Sequence, residues 1–301
     1  MDMTIIYRPG TLADSYSVFT VFFKSLLDYG ERVNVMAFTG GSGPGQLEST
    51  WQRRKDLFDF LAETASQFWI AERDGEILGY ARAIEHDGLQ ELTEFFVAPD
   101  QQSAGIGSGL LSRAFAKSGA RIRTIIATLD ERALFNYMRM GVYGRTLLKY
   151  FSRQAEKVRI DTDLAFERMD LDLHLDAIHR VDREILSYTR EGLHRWLANQ
   201  REGFVYLRNG EVVGYGYLGG NHGPIALLND DDFPAVLAHA ESRMAEQGGE
   251  FGISVPLINR KALDYLVGRK YKIDAFSVLL MSNVPFGNFE NYLTFAPEFF
   301  L

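Results

Sequence analysis

The octapeptide Arg73-Asp74-Gly75-Glu76-Ile77-Leu78-Gly79-Tyr80 returns later in the chain as Arg208-Asn209-Gly210-Glu211-Val212-Val213-Gly214-Tyr215. In each copy an Asp-Gly or Asn-Gly pair lies between strand-forming residues, the strongest short-range hairpin signal. Further on, Asn259-Arg260-Lys261-Ala262, leading to Lys270-Tyr271, repeats Asp130-Glu131-Arg132-Ala133, leading to Gly141-Val142. Two correspondences in the same order indicate one supersecondary plan built twice. The stretch Arg153 to Asp163 is polar and without hydrophobic periodicity, so it reads as the joint. The expected division is residues 1–152, a linker at 153–163, and residues 164–301.

In the first copy, Ile5 to Arg8 reads as a short strand ended by Pro9-Gly10. Asp14 is placed to cap a helix from about Ser15 to Tyr29, in which Val18, Phe19, Phe22 and Leu26 recur at helical spacing. The run Gly40 to Gly45 is too rich in glycine for regular structure, and reads equally as a lip over a site or a plain connector. A second amphipathic helix is expected near Leu47 to Glu63. Strands follow over residues 67–72, 76–82 and 90–97, then a loop and a helix around Leu110 to Lys117. A strand over 122–128, a helix over 131–140 and a strand near 146–151 complete the copy.

The loop that follows Val97 contains Gly105 and Gly107. A strand, a glycine loop and a helix N-terminus present several unpaired backbone N–H groups in one arc, which suits a phosphate. A Cβ at either glycine would hold an anion away from the backbone. Such a loop by itself is also an ordinary tight turn.

In this order, residues 4–152 resemble the GNAT superfamily of acyl-CoA-dependent N-acyltransferases. Gln102-Ser103-Ala104-Gly105-Ile106-Gly107 is similar to the family's Q/R-x-x-G-x-G/A pyrophosphate loop. Ala133-Leu134-Phe135-Asn136-Tyr137-Met138-Arg139-Met140-Gly141-Val142 is similar to its A-x-x-x-Y-x-x-x-G-F segment. The resemblance implies an α/β fold, strictly an α+β mixed and mostly antiparallel sheet flanked by helices, in each of two tandem domains. It implies acetyl-CoA as acyl donor and direct transfer to the amine of a small molecule or peptide; no metal is expected, because no two of the six histidines have the i,i+4 spacing of a helical zinc site.

Carried onto this chain, the resemblance places the amides of Gln102, Ser103, Ala104, Gly105, Ile106, Gly107 and Ser108 around the pyrophosphate. It places main-chain groups near Phe96 and Val97, freed where the strand bulges, against the thioester and pantetheine, and Asn136 beside the cofactor. Tyr137 is the candidate general acid, since a phenol of pKa about 10 keeps its proton at neutral pH. Its other reading is a buried helix tyrosine with a structural role.

Glu91 falls where histone-type members carry their base, and reads equally as a solvent-facing carboxylate at a strand end. Glu94 is the lesser candidate, and regular alternation puts the two on opposite faces. Arg82, Arg121 and Arg123 are candidates for a 3′-phosphate, although lone arginines need no such role. The alternative to an enzyme is a non-catalytic acyl-CoA-binding or regulatory module, and a mycothiol-type tandem synthase is a narrower enzymatic reading.

The second copy departs from the motifs. Its loop reads Leu228-Asn229-Asp230-Asp231-Asp232-Phe233-Pro234, whose carboxylates would repel a pyrophosphate and read better as an acidic helix start. Leu266 stands at the position of Tyr137 and has no proton to donate. A degenerate copy is therefore expected, with one cofactor site in the chain. The tail Pro285 to Leu301 is apolar enough to be expected against a sheet. With 46% hydrophobic and 24% charged residues, the 301-residue chain can bury full cores. It has no cysteine, which excludes disulfides and a thiol nucleophile. A net charge of −8 argues against overall attraction to nucleic acid. No apolar run is long enough to span a bilayer and no secretory leader is evident, so no membrane partner and a cytoplasmic location are expected.

Overall fold

Both copies of the repeated octapeptide form the same tight hairpin. Asp74 and Gly75 take φ of 53° and 79°, and Asn209 and Gly210 take 53° and 81°. Left-handed backbone at both central positions defines the turn whose twist matches the flanking strands, which is why Asp/Asn-Gly specifies it. The computed structural model describes residues 4–35, 45–102, 105–115, 118–219 and 222–299. Most of the run Gly40 to Gly45 lies outside them.

The chain divides into Met1–Tyr143 and Gly144–Leu301. The first unit runs β1 (Ile6–Pro9), α1 (Ser15–Arg32), α2 (Gln46–Thr64), β2 (Gln67–Arg73), β3 (Glu76–His86), β4 (Leu89–Val97), α3 (Ile106–Ala114), β5 (Ile122–Thr128) and α4 (Glu131–Arg139). Its strands lie in the order β1-β2-β3-β4-β5. Neighbours are antiparallel except β4 and β5, which are parallel. Helices α1 and α2 bury Val18, Phe19, Phe22, Trp51 and Phe58 against Phe68, Ile70 and Tyr80 of the sheet. Phe19 meets Phe58 edge-on at 5.2 Å and Trp51 at 5.2 Å; burial of each such ring contributes about 1.5–3 kcal/mol. Asp14 precedes α1 without capping it through its side chain. Its carboxylate instead accepts from Arg8 at 2.8 and 3.0 Å and from the Thr11 amide at 2.9 Å, tying β1 to the turn before α1.

The second unit opens on β6 (Tyr143–Gln154), followed by β7 (Ala165–Arg168), α5 (Leu171–Leu186), α6 (Glu191–Gln200), β8 (Glu202–Arg208), β9 (Glu211–Leu218), β10 (Ile225–Leu227), α7 (Phe233–Glu246), β11 (Glu250–Pro256), α8 (Arg260–Gly268), β12 (Lys272–Ser282) and β13 (Tyr292–Leu293). From β7 to α8 the order repeats that of β1 to α4. Strand β6, assigned from sequence to the first copy, pairs with β11 over Leu148↔Pro256 to Gln154↔Glu250. The division therefore falls before the expected boundary at residue 152, and only residues 155–164 join β6 to β7 without regular structure.

Strand β12 lies along the other edge of β6, and the other strands run β13-β10-β9-β8-β7. The apolar tail supplies β13, which pairs antiparallel with β10 through Ala226↔Tyr292 and Ile225↔Leu293. Thr294 bridges to Ser254 of β11, so the tail lies between β10 and β11.

Candidate functional site

The site of the first unit begins with a fault in a strand. Along β3 and β4 the register steps from Ala83↔Leu92 to Arg82↔Glu94, leaving Thr93 as an extra residue. A bulge of this kind bends its strand and breaks the ladder. Strand β4 pairs with β5 only through Leu89–Glu91 and Ile122–Thr124. Beyond that point the two parallel strands part, and a cavity of about 580 Å³ opens between them. The expectation put the bulge near Phe96 and Val97; it lies earlier, at Thr93, and both residues line the cavity beyond it.

At one end of the cavity lies the glycine loop. One 3-10 turn, Pro99–Gln101, leads to Gln102, whose Nε2 donates to the Val97 carbonyl at 3.3 Å and holds the loop against β4. Gly105 takes φ of 79° as the residue before α3, a conformation that side chains with a Cβ rarely adopt. Helix α3 starts at Ile106, sooner than the expected Leu110, so the amides of Ile106, Gly107 and Ser108 belong to its first turn and have no intrahelical acceptor. A Cβ on Gly107 would come within 2.9 Å of the Phe95 ring, so glycine lets the loop backbone and that ring sit this close. Gln102, Gly105, Gly107 and Ser108 line the cavity, Ile106 is buried, and Ser103 and Ala104 lie outside the described residues. A concave run of amides at a helix N-terminus beside an open strand edge fits a diphosphate with an extended arm.

Helix α4 brings Asn136 and Tyr137 to the cavity wall. The Asp130 side chain caps the helix, accepting from the amides of Arg132 at 3.0 Å and Ala133 at 3.3 Å. Tyr137 packs edge-on against Phe95 at 6.1 Å and is 4% exposed. Burial, and then the charge of Asp130, push its hydroxyl well above the ordinary phenol range, so it stays protonated as a hydrogen-bond donor.

The two strand glutamates differ in where they lie. Glu91 does not line the cavity and is buried, because β4 is flanked there by Ile84 of β3 and Thr124 of β5. Glu94 does line it. Pairing of Glu91 with Ile84 and Glu94 with Arg82, two residues apart on β3, puts both carboxylates on one face; the bulge has cancelled the alternation that predicted opposite faces. The Tyr80 hydroxyl donates to Glu94 Oε1 at 3.0 Å and Arg82 Nη1 donates to Oε2 at 3.1 Å. Burial raises the Glu94 pKa, with Arg82 and the Tyr80 hydrogen bond opposing the shift.

Arg82 is wholly buried, with its guanidinium 4.2 Å from the Phe68 ring centre, and cannot serve as an exposed ligand for a 3′-phosphate. Arg123 donates to the Met140 carbonyl at 2.8 Å, while Arg121 stays exposed. Ser25, Leu26, Tyr29 and Arg32 of α1 also line the cavity, which no sequence motif indicated. Arg32 reaches Asp130 at 2.8 Å.

Among the described residues of the second unit the corresponding gap is occupied. Where β4 and β5 part in the first unit, β13 fills the gap between β10 and β11: the Asn291 carbonyl accepts from Leu227 N–H at 3.0 Å, and Ser254 donates to Glu298 at 2.7 Å. Asp230–Asp232 forms a 3-10 turn. Asp232 is held by Arg208 at 2.8 and 3.1 Å and Asp231 pairs with Lys261. Leu266 is core. Among the described residues, no helix is long and apolar enough to cross a membrane and no group of three or more His, Asp or Glu is placed to hold a metal ion.

Residues 64–143 match the family model of the acetyltransferase (GNAT) domain. The fold is similar to that of a putative acetyltransferase from Pyrococcus horikoshii, with a TM-score of 0.72 at 15% identity over 96% of this chain and 92% of that one. A GCN5-related N-acetyltransferase from Sphaerobacter thermophilus gives 0.57 at 12% identity over 92% and 95%. A tandem GNAT protein from the clavulanic acid biosynthesis pathway gives 0.56 at 12% over 94% and 99%. At these identities the likeness is one of fold. No curated protein matches the chain in sequence.

Proposed function

We propose that the first unit, whose residues 64–143 match the acetyltransferase (GNAT) domain model and whose chain is similar in fold to a tandem GNAT protein, transfers an acetyl group from acetyl-CoA to an amine. The observation that carries this reading is the cavity between the parted β4 and β5, with the loop amides at one end and Tyr137 on its wall. Acetyl-CoA supplies an activated acyl carbon and a sulfur leaving group. The amides from Gln102 to Ser108 bind the pyrophosphate, and the β5-facing edge of Phe95–Val97 holds the pantetheine arm as a pseudo-strand. A main-chain N–H of Phe96 or Val97 polarises the thioester carbonyl. Tyr137 donates a hydrogen bond, then its proton, to the departing sulfur. Asn136 orients the arm from α4. The acceptor enters from the α1 side, past Ser25 and Tyr29, and the protein acts away from membranes and nucleic acid, in the cytoplasm.

The test is release of free thiol from acetyl-CoA across a panel of primary amines, amino acids, aminoglycosides and peptides. Acceptor-dependent release is the expected result. Binding without release from any of them would leave a CoA-binding module and remove the transferase reading. Tyr137→Phe is expected to lower kcat about 100-fold or more while acetyl-CoA still raises Tm; an unchanged kcat would take Tyr137 out of the chemistry. Calorimetric titration is expected to find one acetyl-CoA per chain, since β13 fills the equivalent gap of the second unit. Two equivalents would contradict that.

A further inference from the structure

We propose that Ser25, Tyr29 and Arg32 of α1 are positioning residues for acetyl-CoA: they form a strap across the parted strands and set the width of the groove that takes its extended arm. The assignment rests on the cofactor part of the transferase reading and deepens it. Strands β4 and β5 share a ladder only through Leu89–Glu91 and Ile122–Thr124, so beyond that point their separation is not set by a ladder. A chain seated between two strands needs them at about twice the strand spacing, or about 9.5 Å apart. Some other contact has to hold that distance.

On α1 the residues Val18, Phe22, Ser25, Tyr29 and Arg32 follow one another at alternating steps of four and three, which places them on one face of the helix. The row begins apolar and turns polar at Ser25, although Ser25 and Tyr29 are still only 8% and 7% exposed. Packing alone favours apolar side chains there, because a buried hydroxyl is costly unless it finds a partner. The Ser25 hydroxyl donates to the Val97 carbonyl, at the end of β4, at 3.2 Å. The Leu129 amide, just past β5, donates to the Tyr29 hydroxyl. Arg32 donates to Asp130 at 2.8 Å, and Asp130 caps α4, the helix that carries Tyr137. One rigid helix is thus tied to β4 at one point and to the junction of β5 and α4 at two. From Ser25 to Arg32 a helix rises about 10 Å, on the scale of the gap that a seated chain requires.

The anchor on β4 lies at its open edge. Ala98 N–H donates to the Leu78 carbonyl, so the hydrogen-bonded pairs with β3 are this one and Phe96↔Tyr80. The main-chain groups of Phe95 and Val97 therefore turn away from β3, toward the side where β5 has parted. Gln102 Nε2 donates to the same Val97 carbonyl as Ser25, and the two fill its lone pairs. The cofactor arm is left with the Val97 N–H and both main-chain groups of Phe95, and α1 fixes the strand that presents them.

The test is calorimetric titration of two ligands into wild type, Ser25→Ala, Tyr29→Phe, Arg32→Gln and the double variant Ser25→Ala/Tyr29→Phe. One ligand is acetyl-CoA, and the other is 3′-phosphoadenosine 5′-diphosphate, the nucleotide end of the cofactor without its arm. The Kd for acetyl-CoA is expected to rise about 3-fold in Ser25→Ala and in Tyr29→Phe, and about 10-fold in the double variant. Arg32→Gln should raise it about 2-fold, because the Arg32 side chain is 42% exposed. The nucleotide should keep its wild-type Kd throughout, since Gln102 still holds the loop to Val97. A merely structural role would weaken both ligands together. Circular dichroism checks the fold, and the single variants carry the test if the double variant is unstable. Unchanged acetyl-CoA affinity in Ser25→Ala and Tyr29→Phe, or an equal loss for the nucleotide, overturns the strap. A wild-type protein that binds neither ligand overturns the cofactor reading, and the strap falls with it.

Discussion

Gly107→Asp should abolish most acetyl-CoA binding, weakening Kd by about 100-fold or more, equivalent to about 2.8 kcal/mol. Two effects act in the same direction. Any Cβ at this position comes within 2.9 Å of the Phe95 ring, so either that ring or the first turn of α3 must shift. The carboxylate then adds negative charge where the helix amides would face a pyrophosphate. Gly107→Ala separates the two, because it carries the steric part alone and should show a smaller loss. Titration calorimetry reads both variants, and circular dichroism confirms that the fold persists. Wild-type affinity in Gly107→Asp would show that the pyrophosphate is held elsewhere.

The second large effect concerns stability. In the second unit Asp182, Arg190, His194, Tyr215, Tyr217 and Tyr292 form one buried polar network. Arg190 donates to Asp182 at 3.1 and 3.3 Å, to Tyr215 at 2.6 Å and to Tyr292 at 2.8 Å, and His194 lies 2.8 Å from Asp182 and 2.9 Å from Tyr217. Tyr215 also donates to Asp182. Through Tyr292 the network pins β13, the strand that fills the gap between β10 and β11.

Arg190→Leu leaves the Asp182 carboxylate buried without its cation, at an expected cost of about 3–5 kcal/mol. Asp182→Leu/Arg190→Leu removes both charges and should cost less than the single change. Urea and thermal melts measure these, read on whichever transition moves. Near-identical melts for wild type and Arg190→Leu would mean that the network contributes little.

The pH dependence has a defined sign. Burial opposes ionisation of Asp182, but Arg190 and His194 outweigh it and hold the carboxyl below its ordinary range. Its stabilisation is therefore complete above the unfolded carboxyl pKa of about 3.9 and is lost as pH falls below that value. His194 is shifted down by burial, so it stays neutral in the fold while the unfolded residue takes up a proton below about pH 6.5, and stability declines on that side too. In Arg190→Leu the carboxyl contribution is already missing at pH 7, so the acid limb below pH 4 should flatten.

Much of the site could be read from local sequence. The left-handed pair Asp74-Gly75, the glycine at 105 and the Asp130 cap are each specified by residues within one turn of where they act. The same holds for the placement of Tyr137 after Asp130, because a short helix with one cap admits one register. Sequence alternation failed at Glu91 and Glu94 because the side-chain period of a strand holds only while the ladder is unbroken, and the bulge at Thr93 depends on pairing with β3. Arg82 was misread for a related reason. Nothing within β3 shows that α2 and Phe68 close over it.

The sequence by itself determined the repeated order of elements and the hairpins, which follow from backbone preferences of neighbouring residues. Only the tertiary structure decided which strand glutamate is among the residues lining the cavity, that β6 belongs to the second unit, and that the tail fills the gap between β10 and β11. Those outcomes depend on strand register and on contacts between residues far apart in the chain, where the free energy lies in burial and ladder hydrogen bonds, with no local residue preference to announce it.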